Sequence, residues 1–200
     1  MRICTVLALD GLLLPESLFR VLKCSKALLG QEAVDKEISL GKDMDRVVRL
    51  YDLPPAVSPL KKIEKQGVTV RAAMAYEKTQ IVTWVGDKFS TGWADECCVA
   101  FSHQPISCFI ATEKGAIVGF ACYESTCKNF FGPIGVAEHA RRRGIGKALL
   151  LSCLHAMAAS GYAYAIIGGG DGVRKFYADA VGALEIEGSS PGIYRDRLKD

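Results

Sequence analysis

The residues of this chain best suited to chemistry stand side by side: Arg141, Arg142, Arg143, Gly144, Ile145, Gly146 and Lys147. An apolar run ending at Val136 precedes them. Leu149, Leu150, Cys153, Leu154 and Met157 follow at helical spacing. Gly144 and Gly146 permit a tight turn and let backbone N–H groups face outward where a helix begins. Such unpaired donors, together with the helix dipole, attract anions, and the arginines and lysine add positive charge. The chemistry this pattern suits is the binding of a phosphate-bearing ligand. Two other phosphate loops are excluded. The pattern G-x-x-x-x-G-K-[ST] is absent, and Leu149 stands where a G-x-G-x-x-G loop needs its third glycine. A basic triplet alone would read as a solvated face or a nucleic-acid contact. Neither of those requires two glycines and a strongly apolar helix behind the charge.

Read as R/Q-x-x-G-x-G/A, the run Arg141, Arg142, Arg143, Gly144, Ile145, Gly146 resembles the signature loop of the GCN5-related N-acetyltransferase (GNAT) family. The surrounding order agrees over roughly the last 130 residues, the size of one ordinary domain. Ile117, Val118, Gly119, Phe120 and Ala121 resemble the family's second hairpin strand. Residues 130–136 resemble the central strand that runs into the loop. The run Phe176, Tyr177, Ala178, Asp179, Ala180, Val181, Gly182 and Ala183 resembles the family segment that opens on F-Y and closes on a glycine.

The resemblance implies an α/β (α+β) fold with a mostly antiparallel mixed sheet, splayed at its middle and flanked by helices. It also implies transfer of an acetyl group from acetyl-coenzyme A to an amine. The loop would hold the donor's pyrophosphate through Arg141, Arg142, Arg143, Gly144, Ile145, Gly146 and Lys147. Ile134, Gly135 and Val136 would pair with pantetheine and polarise the acetyl carbonyl. Pro133 and Gly135 suit an interrupted ladder, since proline offers no N–H and glycine often marks a bulge. Tyr177 would protonate the leaving thiolate, a role open to a phenol of pKa ~10. The wall built by two helices before the hairpin would face the acceptor, with Trp93, Asp95 and Glu96 on it, and Glu124 beyond the hairpin. The general base stays open among His103, His139, Glu96, Glu124, Asp171 and a water relay. The chain departs from the family pattern twice: Gly170 stands where many members carry asparagine, and Glu138 where a proline is frequent. A non-catalytic acyl-coenzyme A-binding regulatory module is the alternative reading.

These groups need a scaffold, and the patterns supply one. Residues 107–112 and 116–123 read as a hairpin across the turn at Glu113, Lys114 and Gly115. Residues 162–167 read as a short strand stopped by Gly168, Gly169 and Gly170, with a short helix following through Val173, Phe176, Tyr177 and Ala180. Ile81, Trp84, Val85 and Phe89 mark one helical face, and Trp93, Cys97, Ala100 and Phe101 another. Upstream, residues 47–53 read as a strand ended by Pro54 and Pro55, residues 58–66 as a surface helix closed by Gly67, and 68–71 as a strand.

At 200 residues, half of them hydrophobic, the chain can bury a real core. The expected organisation is an extension over 1–43 and the domain over 44–200, with Met44 an alternative start. A net charge of +3 gives no argument for nucleic acid. No apolar run reaches the ~20 residues that span a bilayer, and Asp10 and Pro15 interrupt the apolar N-terminus, which argues against an export signal. The eight cysteines form no C-x-x-C and mostly lie in apolar segments, as expected of buried reduced thiols in a cytoplasmic protein. Cys122, Cys127 and His139 lack zinc-site spacing, and no metal is expected. No membrane or nucleic-acid partner is expected, and a homodimer is left open.

Overall fold

The computed structural model describes residues 6–9, 12–15, 44–169 and 171–198. The chain divides into two compact units, one of Met1–Met44 with Ser189–Asp200, the other Asp45–Gly188. In the first, β1 (Val6–Leu9) and β2 (Leu12–Pro15) pair antiparallel, Val6 opposite Pro15 and Leu9 opposite Leu12. A 3-10 turn spans Gly192–Tyr194. The rest of the expected 1–43 extension, with Cys4 and Cys24, lies outside the described residues.

The larger unit holds a seven-stranded sheet. Its strands are β3 (Arg46–Arg49), β4 (Val68–Ala72), β5 (Cys108–Glu113), β6 (Ala116–Tyr123), β7 (Phe130–Val136), β8 (Tyr164–Ile167) and β9 (Leu184–Glu185). The order is β4-β5-β6-β7-β8-β3-β9. Every neighbouring pair is antiparallel except β7 and β8, which run parallel. The expected mixed, mostly antiparallel sheet is thus present. The strand expected over 47–53 is shorter. After Arg49 the chain turns into a 3-10 helix, Leu50–Asp52, because Leu50 buries its side chain and its N–H donates to Ala163 O at 2.9 Å.

Helices cover both faces. α1 (Val57–Glu64), α4 (Ile145–Ala159) and α5 (Arg174–Val181) belong to one layer, α2 (Lys78–Lys88) and α3 (Thr91–Ala100) to the other. α4 is apolar nearly all round. Ile145, Ala148, Leu149, Leu150, Leu151, Cys153, Leu154 and Met157 are all buried against the sheet, and burial of each large side chain contributes about 1.5–3 kcal/mol. This helix is the anchor from which the arginine-glycine loop is hung. On the opposite face Ile81, Val85, Cys97 and Ala100 pack on Cys108, Ile110, Phe120 and Cys122. α3 starts cleanly because the Ser90 side chain accepts from Trp93 N–H at 3.2 Å, capping one orphan donor. Among the described residues, no helix is long and apolar enough to cross a membrane.

Candidate active site

The site grows from the end of β7. In an antiparallel ladder, alternate residues turn their main-chain groups toward the partner. Ala137 N–H donates to Val118 O at 2.9 Å, and Gly135 lies opposite Phe120, so Ala137 and Gly135 face β6. Ile134 and Val136 therefore face the other way. On that side β8 pairs only with Phe130 and Phe131, opposite Ile166 and Ile167. From Gly132 onward the two parallel strands part, and the main chain of Ile134 and Val136 points into the opening. Gly135 is required here for space. A Cβ on it would come within 2.4 Å of the Phe89 ring, which lies flat over the strand among Trp84, Trp93 and Phe120.

The loop follows. After the 3-10 turn Glu138–Ala140, Arg142 adopts φ +63° and Gly144 φ +97°, and α4 begins at Ile145. A left-handed residue at the helix entry suits glycine, which has no Cβ to clash. No side chain caps this helix, and its first recorded bond runs from Ala148 N–H to Gly144 O at 3.1 Å. The N–H groups of Ile145, Gly146 and Lys147 are thus left without intrahelical acceptors, as at any helix start. Arg141 and Arg142 are exposed. Arg141 Nε donates to Val136 O at 3.1 Å. Arg143 instead turns inward. Its guanidinium donates to both Glu113 carboxylate oxygens at 2.8 and 3.1 Å, and to Gln66.

Tyr177 sits on α5, 5 % exposed, edge-on to Phe131 at 6.4 Å and against Phe176 at 5.1 Å. Phe131 is the last β7 residue paired with β8, so the phenol ring lies where the strands part. Burial pushes its pKa up to about 12, against an opposing pull from the charge of Arg46, so the hydroxyl stays protonated at neutral pH.

On α3, Trp93 is partly exposed and stacks tilted on Phe89 at 5.3 Å, which brings it to the β7 edge of the α2–α3 wall. Asp95 is exposed. Glu96 is half-buried and accepts from Thr126 Oγ1 at 2.7 Å, facing the β6–β7 connection. Glu124, with φ +56°, accepts from the Tyr162 hydroxyl and pairs with Lys128 at 3.5 Å. It stands at the opposite end of β7 from the loop. Among the other base candidates, His103 Nδ1 meets Ser107 Oγ at 2.7 Å, and His139 is exposed. Gly170 and the Asp171 side chain lie outside the described residues. A pocket of about 530 Å³ opens beside the loop between Lys88, Phe89, Ala137, Glu138, His139 and Arg141.

Sequence reasoning missed several partners. Gln66, Glu113 and Thr126 hold expected site residues from distant segments, and no local pattern marks them. Arg46, 1 % exposed, donates to Gly169 O at 2.9 Å on the strand beside β8. The thiols that the fold gathers are Cys97, Cys108 and Cys122, with sulfurs within 4.8 Å of one another, rather than Cys122, Cys127 and His139. They are fully buried in the apolar α2–α3 layer, where burial pushes the Cys122 thiol up. The six cysteines among the described residues are free thiols.

Residues 104–180 match a family model described as an acetyltransferase (GNAT) domain. Solved structures share the fold. The GCN5-related glucosamine N-acetyltransferase region of a fungal multi-domain GH3 beta-N-acetylglucosaminidase superposes with TM-score 0.59 at 13% identity, covering 72% of this chain and 20% of that one. A GCN5-related N-acetyltransferase from Sphaerobacter thermophilus gives TM-score 0.52 at 19% identity, covering 72% and 48%. This chain therefore spans less than half the length of either, and at these identities the likeness is one of fold. No curated protein matches the sequence.

Proposed function

We propose, from the match of residues 104–180 to an acetyltransferase (GNAT) domain and the geometry above, that the protein transfers the acetyl group of acetyl-coenzyme A to an amine acceptor by direct attack. The observation that carries this reading is the continuity of donors along β7. Main-chain groups of Ile134 and Val136 line the opening between β7 and β8, and the same chain runs on into a helix start with uncapped N–H groups. Such a track fits a ligand with an amide-bearing arm and a pyrophosphate. The arm would add a strand's worth of hydrogen bonds to β7, while the phosphates would meet the N–H groups of Ile145, Gly146 and Lys147.

In the reaction the neutral amine attacks the thioester carbonyl. Negative charge gathers on the carbonyl oxygen, where a β7 N–H already fixed by the strand stabilises it without reorganising. The carbon–sulfur bond then breaks, and the coenzyme A thiolate takes a proton from Tyr177, whose raised pKa keeps it in the donor form. The ammonium proton of the acceptor leaves to a base. Glu96, half-buried on α3 and held by Thr126, is a candidate for that task, as is Glu124, half-buried and held by Tyr162. Trp93 and Asp95 complete the wall.

Thiol release from acetyl-coenzyme A, measured over a panel of amines, tests the proposal. Amine-dependent release is the expected outcome. Tight coenzyme A binding with no release for any amine would favour the acyl-coenzyme A-binding regulatory module instead.

A further inference from the structure

The three arginines of the loop are equivalent in sequence but not in the fold. Arg141 is drawn back onto the strand end through its bond to Val136 O. Arg143 is drawn sideways. Its Nη1 and Nη2 donate to the two oxygens of Glu113 at 3.1 and 2.8 Å, its Nε donates to Gln66 Oε1 at 3.3 Å, and Nη2 also reaches Gln66 O at 3.3 Å. Gln66 Nε2 answers by donating to Arg143 O at 3.3 Å. Glu113 ends β5 and Gln66 lies in the turn between α1 and β4. Three separate segments therefore meet on one guanidinium, and the backbone of Arg143 is gripped along with its side chain. A guanidinium that spends its donors this way has few left for a phosphate. Arg142, by contrast, is exposed and has no side-chain partner among the described residues.

We propose that Arg143, Glu113 and Gln66 form a brace that sets the shape of the anion loop, and that Arg142 rather than Arg143 meets the donor's phosphates. The inference rests on the acetyl-coenzyme A reading of the loop. Its physical basis is that a turn with Arg142 at φ +63° and Gly144 at φ +97° has few contacts of its own to hold it open. Fixing the residue between them keeps the N–H groups at the α4 start aimed at one point. Glu113 also cancels one of three adjacent like charges, which would otherwise push the loop apart. Glu113 and Gln66 are accordingly positioning residues. They touch no ligand and act through Arg143.

Calorimetric titration of the full chain with coenzyme A across a series of salt concentrations, with a melting curve for each variant, separates the roles. Glu113→Gln and Gln66→Ala are expected to weaken binding roughly five- to twentyfold, the scale of a lost charge-assisted bond, while the dependence on salt keeps its wild-type slope. Arg142→Gln is expected to weaken binding and flatten that slope, because a direct ionic contact is gone. The exchange Arg143→Glu with Glu113→Arg should recover much of the affinity lost in Arg143→Glu alone. Unchanged affinity in both Glu113→Gln and Gln66→Ala would overturn the brace. So would a slope flattened by Arg143→Lys as much as by Arg142→Gln. If a variant melts far below the wild type, the charge exchange decides in its place, and no recovery counts against the proposal. Failure of the unaltered chain to bind coenzyme A would overturn the donor reading itself, and the brace with it.

Discussion

At the scale of single residues, Tyr177 and Gly135 make the sharpest demands. Tyr177→Phe keeps the ring that packs on Phe131 and Phe176 and removes only the hydroxyl. The proposal expects coenzyme A affinity to survive and single-turnover rates to fall about 10²-fold or more, the usual contribution of a positioned acid. The pH profile carries a second signature. An acid is competent below its pKa, and burial places that of Tyr177 at about 12. The alkaline fall in kcat should therefore begin well above pH 10, where an ordinary tyrosine would already be losing its proton. A limb near pH 9 that disappears in Tyr177→Phe would contradict this environment. Gly135→Ala tests the wall. Its new methyl would press into a Phe89 ring that touches Trp84, Trp93 and Phe120, so the ring must shift to admit it. Overpacking of this kind costs about 1–3 kcal/mol, to be read from denaturant unfolding of the variant and the wild type.

At the scale of elements, what matters is how each carrier of chemistry is fastened. α2, which brings Phe89 to the strand, is tied at its entry. Arg71 at the end of β4 donates to both oxygens of Glu77 at 2.8 and 2.5 Å, and Met74 N–H donates to the same carboxylate at 2.8 Å. Arg71 thereby holds the Glu77 carboxyl from an ordinary 4.5 down to about 2. A depressed carboxyl stabilises the fold above its unfolded pKa, and that contribution drains away as pH falls from about 4.5 to about 2. Glu77→Gln should cost about 0.5–1 kcal/mol at pH 7, the range for partly exposed pairs. Its melting curve should converge on that of the wild type as the pH approaches 2. A gap that is constant across that window would mean the ion pair is idle.

The same scale shows what the sequence could and could not reveal. β6, β7 and α4 are legible because each carries its own pattern: β-rich apolar runs, a proline and glycines at the interruption, then apolar residues at helical spacing. The loop is legible because glycine spacing is a local signal. The brace is not. Glu113 lies thirty positions before Arg143 and Gln66 still earlier, and nothing in either neighbourhood differs from an ordinary turn. The hold of Thr126 on Glu96 is hidden for the same reason. The strand at 47–53 is half legible. A strand ended by Pro54 and Pro55 can be read, but its early stop depends on Leu50 bonding to Ala163, a partner no window around it contains.

At the scale of the whole molecule, the loop, the splayed strands and Tyr177 all fall within Asp45–Gly188. On the proposed function, a chain starting at Met44 keeps every residue assigned to the donor site and is expected to bind coenzyme A as the full chain does. Insolubility, or loss of binding, would show that residues 1–43 contribute to the domain.

The position of β3 also bears on how the protein is made. β3 is the first strand of its sheet to leave the ribosome, yet its neighbours, β8 and β9, are among the last. The meander from β4 through β7 can zip up during synthesis, each strand meeting one just made. β3 must wait, unpaired, until nearly the whole domain has emerged. A stalled chain ending in α4 would display two naked edges at once, that of β3 and that of β7, and strand edges left open recruit other chains. The early strand thus makes the emergence of β8 and β9 the step that completes the sheet.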